Sequence, residues 1–201
     1  MNLKNILNSS CCDVRERLIK NNDDLMETVS VLKKIGYRIG LVGGVFDLLH
    51  VGHCRYLSEA KERVDILIVA IDSDAFTKKR KGEGRPIVSE DERIEMLGFL
   101  RMVDLVVIRD DVVRGEGSRG DLIDLIIPDI LITSETTGDF TGEEKKRLVN
   151  EGLCGEVITL PAQAVISTTA MIRNLQIDGG RELMQKIQTV VDEYLGKGDR
   201  K

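Results

Sequence analysis

Two histidines, His50 and His53, stand three positions apart with Gly52 between them, and the 201-residue chain contains no other histidine. They follow the apolar run Tyr37–Gly43 and precede a stretch of helical character, so both rings are expected at the N-terminus of a helix. Unpaired backbone N–H groups and the positive end of the helix dipole favour phosphate at such a position. The pair therefore predicts phosphate chemistry, and the alternative is a pair of histidines with a purely structural role.

The turn between the apolar run and the histidines reads GGVFD, from Gly43 to Asp47. Glycines let the backbone turn away from a strand and let a ligand approach closely. An ordinary strand-to-helix turn would explain the glycine pair alone, whereas together with the histidines the turn predicts one wall of a nucleotide pocket. The candidate nucleotide-binding residues in this part of the chain are Gly44, Val45, Phe46, Asp47, His50, Gly52 and His53.

Apolar runs alternate with helical stretches along the chain, and the runs predict five strands. These strands are Tyr37–Gly43, Asp65–Ile71, Asp104–Ile108, Asp129–Thr133 and Glu156–Leu160. Alternation of this kind implies right-handed βαβ units, so the predicted fold class is α/β: a Rossmann-like five-stranded parallel sheet with helices on both faces. Ligands of such sheets bind beyond the carboxyl ends of the strands, which is where the polar motifs of this sequence fall.

We expect three parts in the chain, with boundaries near residues 36 and 175. Residues 1–36 form an N-terminal helical extension, whose helix over Asp13–Ile35 lies outside the core sheet. Residues 37–175 form the main domain, and residues 176–201 form a C-terminal helix and tail. Two helices, Ser167–Leu175 and Arg181–Tyr194, are predicted to close the chain. The terminal helices are compatible with a homodimer, but nothing in their sequence fixes the stoichiometry.

Charge and cysteine usage restrict the class of protein. A formal net charge of −5 argues against general nucleic-acid binding, which needs a basic surface. No apolar run reaches the roughly 18–20 residues that span a bilayer, and residues 1–10 lack the long apolar core of a signal peptide. The four cysteines form no C-x-x-C pair and suit neither a zinc site nor a disulfide framework. We therefore predict reduced thiols in a cytoplasmic protein.

Two further polar segments lie downstream of the histidines. Residues 78–81 (Lys-Lys-Arg-Lys) and Arg85 form the one strongly basic patch, predicted in a loop after the second strand. Such a run is either a solvated surface or a phosphate-binding loop. Ser167, Thr168 and Thr169 precede an apolar helix face, and Ser167 is a good N-cap. Capping is compatible with phosphate binding, because hydroxyls and free N–H groups at a helix start can hold phosphate oxygens.

Three segments together resemble one protein family. GGVFDLLHVGHCRYLSEAK (43–61) resembles the HxGH signature of nucleotidyltransferases of the cytidylyltransferase-like superfamily. KKRKGEGRPIVSEDERIEML (78–97) is similar to the lysine-bearing loop and following helix of that family, and ISTTAMI (166–172) is similar to its C-terminal ISTT segment. The likeness extends from about Val31 to Leu175. Within the superfamily it is strongest to the adenylyltransferase domain of ADP-heptose synthase and then to glycerol-3-phosphate cytidylyltransferase.

The resemblance implies an enzyme that joins ATP or CTP to a phosphorylated small molecule of the sugar- or polyol-phosphate type. A phosphate oxygen of the acceptor attacks the α-phosphorus, and pyrophosphate leaves. Catalysis then consists of positioning and of neutralising the developing charge. Mg²⁺ is expected to arrive with the nucleotide, without direct protein ligands. The implied catalytic residues are His50, His53 and Lys81, and the implied nucleotide-binding residues of the C-terminal segment are Ile166, Ser167, Thr168 and Thr169.

The resemblance also gives weaker candidates and leaves alternatives open. Asp47 and Asp74 match family positions near the acceptor or nucleotide, although either could equally stabilise a turn. Arg85 is a candidate second phosphate contact, and the alternative is a support for the Arg-Pro turn. Residues 133–140 and 161–165 depart from the family's usual K-G-G-D-Y-like and R-T-x-G stretches, so the choice of ATP or CTP and the acceptor stay open. We narrowly expect ATP, because Lys81–Pro86 resembles the heptose type. A catalytically degenerate nucleotide-binding sensor and a pure interaction scaffold are the alternative functions.

Overall fold

A computed structural model describes residues 14–110, 121–137, 140–163 and 168–194. The chain divides into two compact units, residues 1–163 and residues 164–201. Within the described ranges, no helix has both the length and the apolar character that crossing a lipid bilayer requires.

The first unit is built on a parallel sheet of six strands. The strands are β1 Leu18–Ile19, β2 Ile39–Gly44, β3 Ile66–Asp72, β4 Leu105–Arg109, β5 Ile130–Ser134 and β6 Glu156–Leu160. Their order across the sheet is β1-β4-β3-β2-β5-β6. The direction of winding reverses between β2 and β5, which is the point where α/β sheets of this kind bind ligands. The Rossmann-like prediction is confirmed, with one strand more than the five expected.

Seven α-helices accompany the strands in the described residues. They are α1 Asn22–Lys34, α2 Val51–Lys61, α3 Asp74–Lys81, α4 Glu90–Gly98, α5 Asp121–Ile126, α6 Gly142–Asn150 and α7 Thr168–Tyr194. A short 3₁₀ helix, Val14–Arg17, precedes β1. Helices α1 to α6 belong to the first unit, and α7 is the described part of the second.

Both faces of the sheet are covered, as the continuous apolar strands predict. On one face, Leu25 and Leu32 of α1 and Ile126 of α5 pack in a single buried cluster against the strands. On the other face, Leu57 of α2 and Leu97 of α4 belong to a second buried cluster. Strand β3 is buried along its whole length. The two clusters fix the sheet, so the carboxyl ends of its strands form a rigid edge.

The N-terminal segment is part of this core, which corrects one expectation. Strand β1 pairs with Val106 and Val107 of β4 as the sixth strand, and α1 buries Val29 together with its leucines against the sheet. The prediction that this segment lies outside the core sheet is therefore wrong. Two residues are too short for periodicity to reveal a strand, so β1 gave no sequence signal. The division of the chain at residues 36 and 175 stays a prediction.

Two helix predictions also need correction. The basic run 78–81 lies in the last turn of α3 and not in a loop. The C-terminal pair of helices is one continuous helix, α7, which passes through Gly179 and Gly180. A glycine costs about 1 kcal/mol in a helix relative to alanine, which weakens a helix without ending it. Neither glycine adopts the positive φ of a helix stop.

Candidate active site

The carboxyl end of β2 leads into a sharply folded turn. Phe46 and Leu48 both adopt positive φ, 53° and 46°, a region that non-glycine residues rarely occupy. A Cβ on Gly44 would lie 3.1 Å from the Phe46 ring, so a side chain at this position would require the buried ring to shift by a few tenths of an ångström. Val45 and Phe46 are buried, and any contact that they make with a ligand would come from the backbone. The strained turn brings the chain from the sheet edge directly to the first histidine.

The two histidines cap the helix that follows. His50 is the N-cap of α2, and its Nδ1 accepts a hydrogen bond from the Gly52 N–H at 3.1 Å. The backbone N–H of His50 donates in turn to Nδ1 of His53 at 3.3 Å. The two rings stack with their centroids 4.0 Å apart, and His53 also contacts the Phe46 ring at 5.4 Å. The arrangement is a capping box in which imidazoles replace the usual hydroxyl and carboxylate.

This geometry fixes which nitrogen of each ring can donate. Because Nδ1 of both rings accepts a backbone N–H, a neutral ring carries its proton on Nε2. Burial lowers the pKa of His50. Burial, followed by the nearby His50 and Lys81 charges, lowers the pKa of His53 to about 4, although Asp47 opposes the shift. At neutral pH the pair therefore presents two Nε2–H donors without a formal positive charge.

Asp47 anchors the loop that follows α3 to this turn. The carboxylate is 1% exposed and accepts hydrogen bonds from the backbone N–H groups of Ile87 and Val88. Arg85 completes the contact, with its Nε 2.9 Å from Asp47 Oδ2. Asp47 thus joins the predicted nucleotide turn to the basic loop. The described contacts give both Asp47 and Arg85 an architectural role, and their predicted roles in nucleotide and phosphate binding stay predictions.

A buried arginine that no sequence pattern indicated completes the connection. Arg93 of α4 is 1% exposed and donates to the carbonyl oxygens of Val45 and Val88. Its Nη2 lies 2.7 Å from Oδ1 of Asp74. Asp74 is therefore held by Arg93 at the start of α3, next to the sheet edge. The sequence signal for Arg93 was weak, because a charged residue in a capped helix normally faces solvent.

Lys81 ends α3 and lies near the histidines. Its charge contributes to the lowered pKa of His53, which places the ammonium group within electrostatic reach of the imidazole pair. Gly82, with φ of 94°, ends the helix immediately afterwards. Four basic residues in the last turn of α3 also match the negative end of its dipole. The structure therefore brings together three predicted groups, the turn, the histidine pair and Lys81.

A second charged cluster lies at the carboxyl ends of β3 and β4. Asp72 is fully buried, and its two carboxylate oxygens are divided between Arg109 and Arg80, the latter at 2.9 Å. Both guanidinium groups lie 5.3 Å from the centroid of the Phe76 ring. Neither Asp72 nor Arg109 was selected from the sequence. Asp72 ends an apolar strand and Arg109 ends another, which was the available signal for a site at this edge.

Part of the C-terminal prediction cannot be placed at this site. Ile166 and Ser167 lie outside the described residues, and Thr168 and Thr169 form the start of α7 in the second unit. The predicted role of these four residues in nucleotide binding stays a prediction. The last described residue of the first unit, Gln163, donates a 2.6 Å hydrogen bond to Glu59 of α2.

A family model described as cytidylyltransferase-like matches residues 41–174, two thirds of the chain. The chain belongs to the cytidylyltransferase-like family. The match contains the turn, both histidines, Lys81 and the ISTT segment. Membership confirms the predicted family and the predicted class of enzyme, a nucleotidyltransferase.

Curated relatives of this cytidylyltransferase-like chain include proteins named "Bifunctional protein HldE". The protein from Nitrobacter hamburgensis is 35% identical over 182 residues, which cover 89% of this chain and 34% of the relative. The protein from Escherichia coli O1:K1 is 37% identical over 163 residues, covering 80% of this chain and 32% of the relative. The chain thus spans about a third of the length of these relatives.

Solved structures give the same fold. A lipopolysaccharide core biosynthesis protein from Thermoplasma volcanium is 26% identical, with a TM-score of 0.53, and the match covers 62% of this chain and 97% of that one. A pantoate-beta-alanine ligase from Francisella tularensis is 19% identical with a TM-score of 0.51, covering 72% of this chain and 66% of that one. The second likeness concerns the fold alone.

Proposed function

We propose that the chain transfers a nucleotidyl group from ATP or CTP to the phosphate of a small sugar- or polyol-phosphate and releases pyrophosphate. The observation that carries the proposal is the stacked His50–His53 pair at the start of α2, with both Nε2–H donors outside the capping hydrogen bonds. Two fixed donors at a helix N-terminus suit the negative charge that develops on phosphate oxygens during the transfer. The acceptor phosphate oxygen forms the new bond to the α-phosphorus as the bond to pyrophosphate breaks.

The lowered pKa values define what the imidazoles do in this reaction. A histidine with a pKa of about 4 is neutral at pH 7, so it does not act as a general acid there. Phosphate oxygens are also too acidic to need a general base before they attack. The histidines would therefore stabilise charge by donating hydrogen bonds, and Lys81 would add a point charge at the same triphosphate. Proton transfer by the protein has no place in this mechanism.

Mg²⁺ is proposed as a companion of the nucleotide, bound to its phosphate oxygens. In the part of the chain that the structure describes, no three His, Cys, Asp or Glu side chains gather in a way that could hold a metal ion. Two acidic residues of this site are already engaged, Asp47 by Arg85 and Asp74 by Arg93. When bound, the ion would neutralise phosphate charge, and the chain's own donors would orient the triphosphate.

The resemblance of residues 81–86 to the heptose-type loop favours ATP over CTP. A homodimer and a cytoplasmic location stay predictions from the sequence.

In residues 133–140, Glu135 is exposed just beyond β5, and the Thr133 hydroxyl lies 3.1 Å from the Thr159 hydroxyl. A carboxylate would repel nucleotide phosphates, so this segment is proposed to lie away from the triphosphate.

A pyrophosphate-release assay tests the proposal directly. The protein is incubated with each of the four nucleoside triphosphates, Mg²⁺ and a panel of phosphorylated sugars and polyols. We expect release with ATP or CTP only when an acceptor is present. Nucleotide-dependent thermal stabilisation without release from any pair would select the sensor function. Neither stabilisation nor release would refute nucleotide chemistry altogether.

Lys81 provides a matched test of the proposed site. Lys81→Met removes the charge near the histidines, whereas Lys79→Met removes another exposed charge from the same helix. We expect the first variant to lower kcat about 10- to 100-fold, in line with the loss of one charged contact to the transition state. The second should leave kcat within about twofold. A kcat within about twofold of the wild type in Lys81→Met as well would show that the basic run acts only as a solvated surface.

A further inference from the structure

A small cavity lies at the carboxyl edge of the sheet, on the face covered by α1 and α5. Leu41 and Ala70 of the strands, Ile123 of α5 and Phe140 form apolar walls, and the two polar side chains of the lining are Arg109 and Thr133. Its volume is about 30 Å³, enough for two water molecules or one small terminal group of a ligand. A whole nucleotide does not fit there.

Arg109 presents one edge of its guanidinium group to this cavity. Nε lies 2.7 Å from Oδ1 of Asp72, and Nη2 donates to the same oxygen. The remaining nitrogen, Nη1, lies beside Gly43. A Cβ added to that glycine would be 3.5 Å from Nη1. Among the described residues, no acceptor is within hydrogen-bond distance of Nη1. One side of the fork is thus fixed, and the other faces the glycine and the cavity.

The charge balance around Asp72 leaves Arg109 able to bind an anion. The Asp72 carboxylate is fully buried and divides its oxygens between Arg109 and Arg80, so it compensates the charge of Arg109 only in part. Burying such an ion pair seldom stabilises a fold more than apolar side chains of similar size would. A rigid, half-paired guanidinium in an apolar cavity is well suited to a carboxylate or phosphate, which it can bind with correct geometry.

Gly43 connects the cavity to the proposed active site. Successive residues of a strand face opposite sides of the sheet, so Gly43 faces Arg109 while Gly44 faces the Phe46 ring. The cavity and the histidine turn therefore meet at the end of β2. A ligand that places a phosphate at this end can extend a second group along Gly43 toward Arg109.

We infer that Arg109, fixed by Asp72, binds a second anionic group of the acceptor. The inference rests on the proposed function and narrows its substrate class. The acceptor is a phosphorylated compound that carries an additional carboxylate or phosphate, and not a neutral polyol phosphate. The apolar walls leave few partners for hydroxyl groups near that anion, so the end of the acceptor that enters the cavity carries the charge.

Matched acceptor pairs test this inference with the wild-type chain. Glycerol 3-phosphate and 3-phosphoglycerate differ by a carboxylate, and fructose 6-phosphate and fructose 1,6-bisphosphate differ by a phosphate. We expect the more anionic member of at least one pair to have a kcat/KM higher by about 10- to 100-fold, the range of one charge-assisted hydrogen bond pair. The pair that shows the preference identifies the source of the anion. Equal use of both members of each pair would overturn the inference, and where neither member is used the calorimetric titration described below decides.

Arg109→Gln then assigns the preference to the residue. This variant should abolish the discrimination between the members of the pair and raise KM for the anionic member, while KM for the nucleotide stays within about twofold. Arg109→Lys, which keeps the charge without the fork, should retain part of the preference. Arg38→Gln is the control, because Arg38 is half-exposed beside Glu156 at the opposite edge of the sheet. A folded Arg109→Gln chain that keeps the full discrimination would refute the assignment.

Calorimetric binding separates this inference from the proposed function. Titration of each acceptor uses the protein with Mg²⁺ and a non-hydrolysable ATP or CTP analogue. Preferential binding of the anionic member that Arg109→Gln abolishes, in a chain that releases no pyrophosphate, would support the inference and contradict the proposed function. Pyrophosphate release with glycerol 3-phosphate or fructose 6-phosphate alone would support the proposed function and contradict the inference. Circular dichroism melting of each variant shows that it is folded.

Discussion

Replacing His50 in two ways separates the structural role of its ring from the catalytic role that we propose. The Nδ1 atom of His50 accepts the Gly52 N–H at the start of α2, and the proposed role belongs to Nε2. Asparagine is among the best N-cap residues, so His50→Asn keeps an acceptor for the helix but places no donor at the position of Nε2. His50→Ala removes both.

The magnitudes follow from these contacts. Both variants lose the stacking contact with His53, worth about 1 kcal/mol. Only alanine also loses the cap, which costs a further 0.5–2 kcal/mol or so. The lost donor is expected to lower kcat about 100- to 1,000-fold in both variants, corresponding to about 3–4 kcal/mol of transition-state stabilisation. Nucleotide affinity should change much less than kcat, because the donor acts mainly on charge that develops in the transition state.

Two measurements decide the outcome. Urea unfolding followed by circular dichroism gives the free energy of unfolding, and pyrophosphate release at saturating substrates gives kcat. His50→Asn should retain most of the free energy of unfolding and lose most of kcat. Near-wild-type turnover in His50→Asn would refute the donor role of Nε2. An equal loss of stability in the two variants would instead show that Nδ1 does not cap α2.

Three further predictions concern pH, a buried charge and the glycines at the end of β2. His53 has a pKa of about 4 in the fold and about 6.5 in the unfolded chain. The native state therefore binds fewer protons, and the free energy of unfolding falls as the pH decreases through this interval. Between pH 7 and pH 5, the free energy of unfolding, measured with urea, should fall by about 1–2 kcal/mol less in His53→Gln than in the wild type. Arg93→Met leaves two backbone carbonyls and one carboxylate without their partner and should lower the free energy of unfolding by about 2–4 kcal/mol; a loss below about 1 kcal/mol would contradict the anchoring role. Gly44→Ala places a Cβ 3.1 Å from the Phe46 ring and should lower the melting temperature, whereas Gly43→Ala leaves ordinary contact distances and should melt close to the wild type while raising KM for the acceptor.

Much of the fold could be predicted because its determinants are local. Strand β3 is a continuous apolar run, and its burial on both faces is what such a run indicates. Ser89 and Thr141 accept backbone N–H groups at the starts of α4 and α6, and each is followed three residues later by a glutamate, the sequence pattern that is typical of a helix start. The histidine pair likewise revealed its position, because the residues before it form a strand and those after it form a helix.

The remaining features depend on contacts that no local pattern encodes. Strand β1 is defined by its pairing with β4 alone. Helix α3 has one fully buried residue, Thr77, and therefore no apolar stripe to reveal it, although Ser73 and Gly82 provide a start and a stop. Arg93 resembles a surface residue in the sequence. Its burial depends on the carbonyl groups of Val45 and Val88, which accept its hydrogen bonds only in the folded chain.

The buried charges show how the fold couples the elements of the site. Two hydrogen bonds connect the turn with the segment that follows it in space. Arg93 of α4 donates to the carbonyl oxygen of Val45 in the turn, and Asp47 in the turn accepts from the backbone N–H of Val88 in the loop. Each bond would be costly to leave unmade in a buried setting, so turn and loop must be in place together. Lys81 stands at the head of that loop, within electrostatic reach of His53, whose pKa it lowers. The position of the predicted catalytic lysine therefore depends on two residues that the proposed mechanism never brings into contact with substrate.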